Sequence, residues 1–221
     1  MCGRYFIDTL PELLAEQFRV HKYPVYAATW NLAPTQSSLI VRANGDELEW
    51  ANARWGLVPH WSKDAKSGAK MINARGEGVA DKPAFRGAFK YRRCIVPASG
   101  FFEWQTRVDG KQPYAIVPTD LPCFGFAGLY EHWTTPDGAL LETACVLTTT
   151  PNSLMANIHD RMPVILDSAD YERWIRAPAA DAQSLIMPFP AERMRAFAVD
   201  RAVGNVRNNH CELIRPTEDV A

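Results

Sequence analysis

Apolar and polar positions along the chain change period several times, and the changes mark out the elements. Leu10, Leu13, Leu14 and Phe18 recur at helical spacing behind Thr9 and Glu12, which form a capping box with Pro11 in the first turn. The spacing therefore predicts a first helix. Residues 30–36 (Trp-Asn-Leu-Ala-Pro-Thr-Gln) read as an ordered loop. Strands are then expected over 38–43 and 47–53, joined at Asn44-Gly45, a strong hairpin signal. Asp81 as cap and Pro83 in the first turn predict a helix over 81–91. Alternation dominates the middle third, with strands expected over 94–98, 101–108, 114–117, 123–130 and 140–148. Turn signals such as Asp109-Gly110 and Pro136-Asp137-Gly138 separate them. Helical patterns return over 153–157, 169–175 and 180–186. No linker, low-complexity tract or internal repeat divides the chain, so one α+β domain over residues 1–221, built on a mainly antiparallel β core, is expected.

Composition supports a folded protein: 47% of the 221 residues are hydrophobic and only 22% are charged. No apolar run reaches the ~18 residues a membrane span needs. Met1-Cys2-Gly3-Arg4-Tyr5 lacks a basic region followed by an apolar stretch, so no secretory signal is expected. The expected location is the cytoplasm, or the nucleoid or nucleus for a protein that works on DNA. Cys2, Cys94, Cys123, Cys145 and Cys211 are odd in number and contain no C-x-x-C pair, which fits free thiols in a reducing compartment. The net charge of −1 argues against a protein that coats nucleic acid, so DNA contact would need a local patch. Lys82, Arg86, Lys90, Arg92 and Arg93 offer one, opposed by Asp81; a solvated helix face accounts for them equally well.

Four places carry candidate chemistry. Removal of Met1, usual before a residue as small as cysteine, would give Cys2 a free α-amine beside its thiol. Such an aminothiol condenses with an aldehyde to a Schiff base and then closes a thiazolidine ring, a step favoured by proximity. Position alone is also compatible with an incidental cysteine. Glu103 stands among Phe101, Phe102 and Trp104, where desolvation would suit it to proton transfer; an outward-facing strand residue is the alternative. His159 precedes an apolar stretch and has Asp160 and Arg161 as neighbours that would tune it, unless it serves a structural hydrogen bond. Asn73 and Arg75 lie at i and i+2 of an extended segment and so face one way, toward a ligand or into a packed loop. No His/Cys/carboxylate cluster has metal-ligand spacing and no phosphate-binding glycine loop is present, so neither a metal nor a cofactor is expected.

Six ordered blocks together resemble the SRAP (SOS response-associated peptidase) family, whose members process abasic sites in single-stranded DNA. They are Met1-Cys2-Gly3-Arg4-Tyr5, the Trp30-to-Gln36 block, Trp55-Gly56-Leu57-Val58-Pro59-His60-Trp61, Ile72-Asn73-Ala74-Arg75-Gly76-Glu77, the block from Arg93 to Trp104, and His159-Asp160-Arg161-Met162-Pro163. The resemblance implies a β-barrel-like core flanked by helices and a basic groove ending at the N-terminus. It implies that Cys2 forms the thiazolidine with the ring-opened sugar, that Asn73 orients the sugar or the amine, and that Glu103 and His159 are the acid/base pair. Arg4 and Arg75 become phosphate ligands, Arg161 a further DNA contact, and Pro34, Trp55 and Trp61 the apolar surface that holds neighbouring bases. For the two Trp and Pro34 a place in the core is the alternative.

The expected partner is thus single-stranded DNA containing abasic sites, with the replication machinery as a further partner, no membrane, and action as a monomer. The expected product is a covalent DNA-protein crosslink that shields the lesion from strand cleavage. Two rivals are a thiol peptidase or self-processing N-terminal nucleophile hydrolase, and a non-covalent reader of damaged or modified single strands. The segment Val203-Gly204-Asn205-Val206-Arg207-Asn208 matches the family's Val-Asn block loosely and receives no role.

Overall fold

A computed structural model describes residues 2–217. The strands are β1 (Arg4–Ile7), β2 (Thr29–Leu32), β3 (Ser37–Asn44), β4 (Glu47–Trp55), β5 (Asn73–Arg75), β6 (Arg93–Ala98), β7 (Gly100–Arg107), β8 (Gly110–Pro118), β9 (Phe124–Thr134), β10 (Leu140–Thr149), β11 (Met162–Pro163), β12 (Ile165–Leu166) and β13 (Met194–Ala198). The α-helices are short: α1 (Pro11–Phe18), α2 (Arg86–Tyr91), α3 (Tyr171–Arg176) and α4 (Ala179–Gln183).

Pairing closes a five-stranded barrel. Its ring runs β3-β4-β10-β9-β6 and back to β3, antiparallel at every step except β4 with β10. Closure removes the unpaired edges that an open sheet would leave. Three short strands are added: β5 lies parallel and β11 antiparallel to β10, and β12 antiparallel to β9. A second sheet, β13-β8-β7-β1-β2, is antiparallel throughout. The expected α+β class with a mainly antiparallel, barrel-like core flanked by helices is therefore the observed one.

The two sheets meet at Ser99, between β6 and β7. Its hydroxyl accepts the backbone N–H groups of Asp8 and Thr9, and its own N–H donates to the Phe6 carbonyl. The next residue must be glycine, because a Cβ on Gly100 would lie 2.4 Å from Phe6 Cζ and 2.6 Å from the Ile116 carbonyl oxygen. Beyond this junction β7 alternates between two cores. Phe101 joins the large cluster that fills the barrel, with Tyr5, Trp55 and Phe126. Phe102 turns to a smaller cluster with Phe6, Ala115, Val199, Val203 and Leu213 under the C-terminal turns.

Local readings fared unevenly. The hairpin forms with Asn44 opposite Glu47 and Gly45 at φ +59°, the left-handed region glycine reaches without penalty. Part of the 30–36 loop is strand β2, paired with β1. The Thr9 capping box does not form: Thr9 Oγ1 bonds Ser99 Oγ at 2.7 Å and the Pro122 carbonyl at 3.2 Å, and no side chain caps α1. Leu14, Ala15 and Phe18 are the buried face of that helix, whereas Leu10 and Leu13 are exposed. The helix over 81–91 shrinks to α2, preceded by turns.

Candidate active site

Strand β1 carries the N-terminus to the seam between barrel and second sheet. Arg4 pairs with Phe102 of β7, and this register sets Glu103 beside the residues that precede β1. Cys2 is fully buried there, its thiol 3.8 Å from the Arg4 carbonyl and its own carbonyl accepting a 2.8 Å bond from Asn73 Nδ2. Asn73 opens β5, whose pairing with β10 (Asn73 opposite Val146, Arg75 opposite Thr148) fixes its place. Its Oδ1 is buried and has no hydrogen-bond partner among the described residues.

Electrostatics follow from burial. Desolvation pushes the Cys2 thiol well above the ordinary thiol range, and the nearby Glu103 carboxylate pushes the same way. Glu103 itself is 2% exposed, and burial raises its carboxyl, opposed in part by His159. His159 Nε2 stands 4.0 Å from Glu103 Oε2. The other ring nitrogen accepts the Arg161 backbone N–H at 3.0 Å, which leaves the proton of a neutral ring on Nε2, facing Glu103. Asp160 Oδ1 lies 2.9 Å from the same Nδ1 and accepts from it whenever that nitrogen carries a proton. Cys2, Asn73, Glu103 and His159, distant in sequence, are thus brought together.

The expected DNA contacts divide. Arg75 is exposed, and its side chain makes no hydrogen bond or ion pair among the described residues. Trp61 is exposed (58%) and Pro34 half-buried in a loop that turns through Thr35 at φ +74°. Trp55 does not belong with them. It is 1% exposed, packs edge-on to Tyr5 at 5.1 Å, and donates Nε1–H to the Ile72 carbonyl at 2.9 Å, so neither ring face is open to a base. Its backbone instead pins the Pro34 loop, bonding Thr35 N–H and the Gln36 carbonyl.

Arg4 and Arg161 are engaged by the protein. Arg4 donates to Asn31 Oδ1 (2.9 Å) and to the carbonyls of Val203 (2.8 Å) and Gly204 (3.2 Å). Arg161 forms a two-pronged pair with Glu77 and bonds the Thr148 carbonyl at 2.7 Å. In the 82–93 patch, Arg93 is buried and donates to the carbonyls of Phe89, Lys90, Trp174, Ile175 and Ala177, while Arg92 pairs with Glu131 at 2.7 Å. Only Lys82, Arg86 and Lys90 of that patch remain on the surface.

Sequence reading missed Asn31. Its Nδ2 donates to the carbonyls of Val203, Asn205 and Asn208, so with Arg4 it holds the loosely matching C-terminal loop against the N-terminal strand. The available signal was an asparagine between Trp30 and Leu32, a polar side chain inside an apolar stretch. No group of three or more His, Cys, Asp or Glu residues suited to a metal ion occurs among the described residues.

These features define a class: a mixed barrel in which a buried cysteine at position 2 lies with an asparagine, a carboxylate and a histidine. The chain belongs to the SRAP (SOS response associated peptidase) family, whose sequence profile matches residues 1–206. It is 41% identical over 222 residues to the abasic site processing protein YoqW of Bacillus subtilis, covering 97% of this chain and 99% of that one. It is 29% identical to the abasic site processing protein YedK of Escherichia coli (98% and 100% covered), and 32% identical to HMCES of Gallus gallus, an abasic site processing protein (87% and 67%). A crystal structure of a protein from Bacteroides thetaiotaomicron superposes with a TM-score of 0.86 at 26% identity, covering 98% of this chain and all of that one.

Proposed function

We propose that this protein captures abasic sites in single-stranded DNA covalently, through Cys2 once Met1 has been removed. The observation that carries the reading is that Asn73 bonds the Cys2 carbonyl, with Glu103 near the thiol and His159 against Glu103, and that the buried Asn73 Oδ1 has no hydrogen-bond partner among the described residues. An unmet buried acceptor costs about 1–3 kcal/mol, and a donor on the Cys2 amine or the sugar would recover it. The names of these relatives, abasic site processing proteins, support the abasic site as the lesion.

The steps balance without redox chemistry. Glu103 and His159 assist opening of the abasic sugar to its aldehyde. The Cys2 amine adds to C1′, and the carbinolamine loses one water to give an imine. The thiol then adds across C=N: a C–S bond forms and the thiol proton ends on nitrogen. Burial of the thiol supports this order, because a thiol held well above the ordinary range is a poor leading nucleophile. The amine leads and the sulfur follows intramolecularly, where proximity compensates. The same burial weakens the thiol peptidase reading, which needs a thiolate to attack first.

Wild-type protein mixed with an abasic single-stranded oligonucleotide should give a heat-resistant, slowly migrating species on a denaturing gel. Its intact mass should be protein without Met1 plus DNA minus one water. Cys2→Ala should give none, although its free amine still permits a transient imine and some strand cleavage. No adduct from wild-type protein shown by mass to lack Met1 would refute the reading. Equal non-covalent retention of abasic and undamaged strands would favour a simple reader instead.

A further inference from the structure

The pair between Arg161 and Glu77 joins two loops that each deliver a residue to Cys2. Glu77 sits in the turn following β5, four residues after Asn73. Arg161 lies two residues after His159 and supplies the backbone N–H that bonds His159 Nδ1. The guanidinium spends Nη1 on Glu77 Oε1 and Nη2 on Glu77 Oε2 at 2.9 Å, with further bonds from Nη2 to the Thr148 carbonyl (2.7 Å) and hydroxyl (3.2 Å). Its side chain is only 13% exposed, whereas that of Glu77 is half exposed and lies over it. The carboxylate is held below its usual range chiefly by its hydrogen bonds to Arg161, so it remains charged at neutral pH.

We propose that Glu77 is a positioning residue for the reaction at Cys2: its two-pronged pair with Arg161 locks the His159 loop to the Asn73 loop and fixes the ring of His159 against Glu103, an inference that rests on the adduct chemistry proposed above. The reason is the cost of an unpaired cation. Thr148 offers only neutral acceptors, and a mostly buried guanidinium without its counter-charge is strongly unfavourable. Without the Glu77 carboxylate, Arg161 turns toward solvent and takes its main chain with it. The bond to His159 Nδ1 is then lost, and with it a restraint that holds the ring against Glu103. Arg161 therefore acts as half of a clamp and not as a cation for DNA.

The test is single-turnover adduct formation by Glu77→Gln across a range of abasic oligonucleotide concentrations. The maximal rate should fall about tenfold to a hundredfold, the cost of a displacement of about 1 Å in a catalytic group. The half-saturating DNA concentration should stay within about twofold of wild type, since no DNA contact is removed. Arg161→Ala should lower the maximal rate to the same level, and the double variant should be no slower, because both changes break one clamp. Glu77→Asp keeps the charge and should recover part of the rate; urea unfolding of each variant separates this from loss of fold. An unchanged maximal rate with tighter DNA binding in Glu77→Gln would overturn the proposal, since Glu77 would then merely compete with phosphate for Arg161. Failure of the wild type to form any adduct is a distinct result: it would refute the Cys2 chemistry itself.

Discussion

Two tryptophans from one sequence block should fail in opposite ways. Trp55 ends β4 with its ring buried against Tyr5 and its Nε1–H given to the Ile72 carbonyl. Truncation to alanine removes a fully packed indole, which costs about 3–5 kcal/mol. The Ile72 carbonyl keeps the bond it accepts from the Val146 N–H, so loss of the indole donor leaves it partnered and adds little to that cost. Against a total stability of about 5–15 kcal/mol, Trp55→Ala is severely destabilised. For a chain of this length each kcal/mol moves the midpoint by about 2–4 °C, so Tm should fall by about 6–20 °C.

Trp61 is mostly exposed, so Trp61→Ala should change stability by no more than about 0.5 kcal/mol. If its ring stacks on a base, the same variant should bind single-stranded DNA about 1–3 kcal/mol more weakly, roughly fivefold to 150-fold. Urea melts and fluorescence anisotropy with an undamaged single strand measure the two effects separately. Trp55→Ala with wild-type stability and weakened DNA binding would refute the assignment of Trp55 to the core. Unchanged affinity in Trp61→Ala would remove Trp61 from the DNA surface.

Two further outcomes follow. Because burial raises the Glu103 carboxyl, the folded protein takes up that proton at higher pH than the unfolded chain does. Ionised Glu103 therefore opposes folding, and its penalty is relieved as pH falls from the raised folded value toward the ordinary 4.5. Glu103→Gln should accordingly be more stable than wild type at pH 7 and converge with it below about pH 4.5, while forming adduct more slowly; urea melts across pH 4–8 that show no stability difference would contradict the burial argument. Arg75→Ala should lower the slope of log affinity against log salt for single-stranded DNA by about 0.7, one phosphate contact, with little change in Tm. An unchanged slope would place Arg75 away from the strand.

What was legible in the sequence was what neighbours determine. The Asn44-Gly45 signal sits where β3 turns into β4, and the i, i+2 spacing of Asn73 and Arg75 became a short strand. Strands β1, β2 and β13 were missed because four or five residues carry too little alternation to read, and their pairing comes from residues far along the chain. Thr9 shows the same conflict in one side chain. Its local spacing to Glu12 fits a helix cap, but Ser99, 90 residues away, takes the hydroxyl. For the site, residue types and order singled out Cys2, Asn73, Glu103 and His159, yet could not reveal that Trp55 is enclosed or that Arg4 and Arg161 already have partners. Burial and pairing are tertiary facts, and a motif does not contain them.

The arginines then bear on how the protein must work. Four of the six arginines singled out from the sequence are consumed internally: Arg4 on the C-terminal loop, Arg161 on Glu77, Arg92 on Glu131 and Arg93 on backbone carbonyls. With a net charge of −1 and Arg75 the main uncommitted arginine of the site, the encounter with a phosphate backbone has little electrostatic drive. Such a protein is expected to hold undamaged strands weakly and to release them. On the proposed function, selectivity for a lesion comes from a step undamaged DNA cannot undergo, the condensation of an aldehyde at a missing base with the amine of Cys2. On the same proposal, weak binding and a covalent trap belong to one design, because a tight grip on every single strand would leave few molecules free to find the damaged one.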